Sequence, residues 1–123
     1  QAWAQGVATS YQMIDDVRDV ESQEVLGKQG GSDIARGLLT WPIIEYFAAS
    51  HAHLSEPLTP FARDKSPAEV EAWKRALLCT GALARTRRRA ASELRAALAR
   101  LERHPDSPGR SLLIELTTEV AKL

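Results

Sequence analysis

Stretch after stretch of this chain places apolar residues three and four positions apart. Nowhere do apolar and polar residues alternate with the period of two that a half-buried strand requires. That spacing commits the chain to helices. From Ala2 to about Val20 there is no proline and one glycine, Gly6, while Val7, Tyr11, Ile14 and Met13 with Val17 give a helical apolar spacing. Residues 21 to 33 carry Gly27, Gly30 and Gly31 and predict a loop. A second helix is expected from Ile34 or Pro42 to His53, with Trp41, Ile43, Ile44, Tyr46 and Phe47 supplying its inner face. Pro57 and Pro60 mark a connector. Ser66, Pro67 and Glu69 then form a helix start, with serine as N-cap, proline in the first turn and glutamate closing a capping box. That helix should run to about Cys79, and Gly81 interrupts before Leu83, Leu94, Ala97, Leu98 and Leu101 trace a long amphipathic helix. It must end before His104-Pro105. Asp106-Ser107-Pro108 opens a last helix carrying Leu113, Leu116 and Val120. The expectation is an all-α helical bundle, and 123 residues make one domain, 1–123.

Charge narrows the functional classes. Sixteen basic and sixteen acidic residues cancel, so no global field draws the chain to nucleic acid or to an anionic membrane. The lone Cys79 excludes an intrachain disulfide framework and reads as small core filler. No apolar run reaches the eighteen or more residues of a membrane span. Gln1 stands where a start methionine would, already inside a helical pattern, and implies processing, splitting or truncation. His51 and His53, two apart, do not share a helix face and are ordinary histidines rather than ligands. Arg85, Arg87, Arg88 and Arg89 read as a solvated or interface face, and Trp3, Trp41 and Trp73 as packing anchors.

One segment breaks this helical economy. Asp15, Asp16 and Asp19 fall within two turns, Asp15 and Asp19 on one face, where like charges repel by about 0.2–0.5 kcal/mol per pair. Taken alone, three such aspartates are more often a solvated helix end. A divalent cation over them would reverse the cost, and magnesium, held by one or two carboxylates and bridging to phosphate oxygens, suits hard oxygen donors. Gln12 lies one turn earlier, and the glycine loop brings Lys28 and backbone N–H groups as anion donors.

The ordered segments YQMIDDVRDV, LGKQGGSD and GLLTWPI resemble the second aspartate-rich region of the trans-isoprenyl diphosphate synthases, strongly over about residues 4 to 48. Beyond it the helix pattern and the stretch from Ser107-Pro108 to Leu116 carry a weaker likeness. Among subfamilies the chain looks most like the long-chain polyprenyl synthases, the solanesyl and decaprenyl enzymes that make quinone tails. The resemblance implies the C-terminal half of the isoprenoid synthase fold. It implies a prenyltransferase that elongates an allylic diphosphate with isopentenyl diphosphate, with Mg2+ as cofactor. Asp15, Asp16 and Asp19 would be catalytic and metal-binding, Gln12 and Lys28 would contact diphosphate, and Asp33 and Thr40 would support and cap.

Two positions depart from the pattern. Leu38 stands where many short-chain members carry a lysine, which tilts the likeness towards the long-chain enzymes, and Arg18 sits at a usually apolar place inside the motif. The resemblance also places the first aspartate-rich motif and the wall that sets product length in an N-terminal portion these residues lack. The chain is therefore a fragment, one half of a split enzyme, or a non-catalytic structural subunit of a larger assembly. The first two imply a homo- or hetero-oligomer or a longer chain carrying the first motif, and the third a stable place in a larger assembly. A quinone-tail role would imply a mitochondrial or bacterial cytoplasmic, membrane-adjacent setting. A subunit freed from catalysis has no evident reason to keep repelling aspartates, so their retention favours the enzyme.

Overall fold

A computed structural model describes residues 2–22, 31–49, 61–103, 105 and 107–122. Every regular element among them is a helix: α1 (Ala2–Glu21), α2 (Ser32–Ala35), α3 (Trp41–Ala49), α4 (Pro67–Cys79), α5 (Ala82–Glu102) and α6 (Pro108–Ala121). The all-α expectation holds. The expected second helix is two pieces, because Gly37 at φ +72° turns the chain between α2 and α3. His51, His53, Pro57 and Pro60 lie outside the described residues.

The residues form two compact units, and α1 and α5 each contribute to both. In the unit of residues 1–14 and 87–123, Ala90, Leu94, Ala97 and Leu101 are buried at helical spacing along α5. α1 approaches them closely at Gly6, where a Cβ would lie 3.4 Å from the Ala97 Cβ. Buried hydroxyls cost free energy unless satisfied, and both here find carbonyls one turn back. Ser10 donates to the Gly6 oxygen at 2.8 Å and to the Ala90 oxygen at 3.1 Å. Thr117 donates to the Leu113 oxygen and accepts from the Trp3 indole at 3.0 Å. Trp3 is thus an anchor, as expected.

The unit of residues 15–86 has the larger apolar core: Val17 and Val20 from α1, Ile34, Ile43, Phe47, Phe61, Val70, Leu77, Ala82 and Leu83. Trp73 stacks edge-on against Phe61 (centroids 4.9 Å apart) and Tyr46 (5.3 Å), the geometry that aromatic quadrupoles favour. Cys79 is exposed, not core filler, because Leu77 takes the inward position of the last α4 turn and a residue two further on points roughly to the opposite side. Arg85 also differs from its neighbours in the basic run. Arg87, Arg88 and Arg89 are exposed, whereas the Arg85 guanidinium donates to the Thr80 oxygen at 2.8 Å and lies 3.8 Å from the buried Glu45 carboxylate.

The capping box that starts α4 forms as its sequence requires. Glu69 N–H donates to the Ser66 hydroxyl and Ser66 N–H to the Glu69 carboxylate. Arg63 donates to the same carboxylate at 2.7 Å, and that bond first, with the Ser66 backbone bond after it, holds the Glu69 pKa below its ordinary 4.5. A depressed carboxylate stabilises the fold above its ordinary pKa, and that contribution disappears as pH falls through the folded value. Glu69→Gln should therefore flatten the acid limb of the stability profile below pH 4.5, measured by urea unfolding at stepped pH. Gly37→Ala should cost more than its positive φ alone implies, about 1 kcal/mol for a non-glycine residue. A Cβ there would lie 2.4 Å from the Arg63 nitrogen and 2.7 Å from its oxygen, both backbone, and a thermal melt will show the loss.

Candidate functional site

The last two turns of α1 carry an apolar face and an acidic face at once. Val17 and Val20 enter the core, while Asp16 and Asp19 reach the segments that follow and Asp15 is exposed. The three acids are not equivalent. Asp15 is exposed, Asp16 is buried at 5% exposure, and Asp19 is intermediate.

Each of the latter two meets the start of a helix. Trp41, the first residue of α3, donates its backbone N–H to Asp16 Oδ2 at 3.0 Å. In α2 the N-cap position is Gly31, left-handed at φ 85° and with no side chain to cap, so the cap comes from α1. The Ser32 hydroxyl donates to Asp19 Oδ1 at 3.2 Å and Asp33 N–H reaches Asp19 Oδ2 at 3.4 Å. The Asp19 carbonyl accepts from Gly31 N–H at 2.7 Å. A carboxylate at a helix N-terminus satisfies orphan donors and meets the positive end of the helix dipole. The repulsion among the aspartates is offset here.

Asp33 forms an ion pair with Arg36 at 3.2 Å at the entrance of α2, a supporting role as expected. Thr40 serves through its carbonyl, which accepts from Ile44 N–H at 3.0 Å, and capping of Trp41 N–H falls instead to Asp16. Gln12 is exposed on α1, in the stretch belonging to the other compact unit. Lys28 lies outside the described residues. Among the described residues no three His, Cys, Asp or Glu side chains gather as a cage for a metal ion. The donor set does fit a hydrated magnesium bridged to phosphate, which asks for one or two carboxylates only, and Asp15 presents one outward.

A family model described as "Polyprenyl synthetase" matches residues 1–78, the span that contains the acids and both capped helices. The chain belongs to that family. Decaprenyl-diphosphate synthase subunit 1 of Schizosaccharomyces pombe is 30% identical over 115 residues, which are 93% of this chain and 30% of that protein. Octaprenyl diphosphate synthase of Escherichia coli is 30% identical over 118 residues, 94% of this chain and 36% of that protein. The chain thus spans about a third of the length of the curated relatives it matches. Among solved structures, a polyprenyl synthase from Caulobacter crescentus CB15, complexed with calcium and isoprenyl diphosphate, aligns with a TM-score of 0.75 at 26% identity. It covers 98% of this chain and 38% of that one. A geranylgeranyl pyrophosphate synthetase from Geoglobus acetivorans shares the fold at a TM-score of 0.72 over 99% of this chain and 35% of that one.

The capping work of Asp16 and Asp19 was hidden from sequence reasoning. No local signal could have exposed it: Gly31 and Thr40 are residue types that themselves cap helices, and the acceptors used lie 13 and 25 residues earlier in the chain.

Proposed function

We propose that this chain supplies the diphosphate clamp of the second aspartate-rich motif in a prenyl diphosphate synthase. The reaction is elongation of an allylic diphosphate with isopentenyl diphosphate, towards a quinone side chain. Membership of the polyprenyl synthetase family, over a match containing the whole acidic motif, carries this reading. The relatives named as octaprenyl and decaprenyl synthases and the calcium and isoprenyl diphosphate of the Caulobacter structure support it.

Magnesium, when bound, would neutralise the charge growing on the departing diphosphate. The chain's own part is to hold the Asp15 carboxylate on the exposed face, where that charge can be met, while Asp16 and Asp19 fix the end of α1 through their hydrogen bonds to Trp41, Ser32 and Asp33. Preorganised charges of this kind need no rearrangement at the moment of reaction. Gln12 and Lys28 keep the diphosphate contacts that the resemblance gives them.

A partner or a longer chain is part of the proposal, since the first motif must come from elsewhere. Leu112 and Leu116, one turn apart on α6, are both more than half exposed and offer apolar surface for such an association. Relatives of this family are named as a subunit or a component, in S. pombe and in Geobacillus stearothermophilus. The second reading, a non-catalytic structural subunit, is favoured by one observation: Asp16 and Asp19 already have structural work.

Asp15 separates the two. Asp15→Asn should weaken binding of Mn2+ with inorganic diphosphate by about tenfold or more while leaving the thermal melt unchanged. Titration of bound manganese by electron paramagnetic resonance reads the affinity. An unchanged affinity would assign the chain to the structural reading.

A further inference from the structure

We propose that Asp16 and Asp19 are positioning residues, N-caps supplied from a distance that tether α3 and α2 to the end of α1, and that the cation site depends on them through this tether. The inference rests on the clamp proposed above and divides its labour.

Asp16 gives the strongest observation. A carboxylate at 5% exposure carries a large desolvation cost unless its oxygens are hydrogen-bonded, and its bond from Trp41 N–H at 3.0 Å also meets the dipole of a nine-residue helix. Asp19 repeats the arrangement one turn later. Its two carboxylate oxygens take one donor each from Ser32 and Asp33, and its carbonyl takes Gly31. Three consecutive residues entering α2 therefore hang from one aspartate. Gly31 permits this because its left-handed φ brings the chain against α4, where a Cβ would lie 2.9 Å from Lys74 Cε and 3.0 Å from Val70 Cγ1. No such hydrogen bond from a helix start reaches Asp15 among the described residues, so orientation and capture fall on different side chains.

Asparagine separates the roles, because its carbonyl still accepts an N–H but carries no charge. In the full chain, Asp16→Asn should melt within a degree or two of wild type and bind Mn2+ with inorganic diphosphate almost as tightly. Asp16→Ala should lose several degrees, since a lost cap in a unit of this size shifts Tm by about 4–8 °C per kcal/mol. It should also weaken Mn2+ binding about tenfold, the cost of removing a residue that orients a ligand. Asp19→Asn and Asp19→Ala should behave as the corresponding pair. If Asp16→Asn abolishes Mn2+ binding while the melt stays at the wild-type value, Asp16 is a direct ligand and the proposal is overturned. An Asp16→Ala protein that melts like wild type overturns it as well, since the tether would then hold nothing. Failure of the clamp itself has a different signature: Mn2+ and diphosphate bind no more weakly to Asp15→Asn than to wild type, whatever the Asp16 variants do.

Discussion

A buried carboxylate facing a helix start is the interaction on which the second unit turns. Asp16 sits at a position from which water is nearly excluded, and only a donor can make that tolerable. Trp41 N–H is that donor. The requirement is mutual, for the first turn of α3 has N–H groups without intrahelical partners and needs an acceptor to begin. Each end solves the other's problem, and the solution fixes where α3 starts relative to α1.

Once that start is fixed, the core follows. α3 buries Ile43 and Phe47 beside Val17 and Val20, and the aromatic group of Tyr46, Phe47, Phe61 and Trp73 closes over them. The loop from Phe61 to Lys65 packs against the turn at Gly37, whose missing side chain lets two backbones approach. Lys65 closes the loop from the other side. Its ammonium lies 3.7 Å over the Phe61 ring centre and donates to the Phe61 and Arg63 carbonyls, while Lys65 N–H donates to the Ala35 oxygen. Burial, with the Arg63 charge beside it, pushes the pKa of Lys65 down. The acidic end of α1 and the apolar centre of the unit are thus two faces of a single helix, packed by one arrangement.

The sequence displayed whatever is local. Apolar spacing placed α1, α4 and α5, and Ser66 with Glu69 located the start of α4 to the residue, because a capping box is written within four consecutive positions. α2 escaped because four residues cannot show a period and because its cap stands a dozen residues earlier, at Asp19. Cys79 and Arg85 were misplaced for a related reason. Small size does not say which side of the last α4 turn a residue occupies, and a run of arginines does not reveal that Glu45, forty residues away in sequence, waits opposite one of them. The aspartates were visible as a cluster, while their division into exposed and buried members depends on contacts that the spacing does not encode.

That division alters what their presence in the chain can mean. Repelling acids kept together look like a mark of catalysis as long as nothing else explains them. Two of the three have another explanation in Trp41, Ser32 and Asp33, since a chain with no catalytic duty would still need acceptors at those helix starts. Asp16 and Asp19 are therefore neutral witnesses between an enzyme and a structural subunit. Asp15 has no helix start to cap among the described residues and spends its charge on solvent, one residue from a buried carboxylate that repels it. No capping duty accounts for Asp15 among the described residues, which makes the most exposed of the three acids the most informative about function.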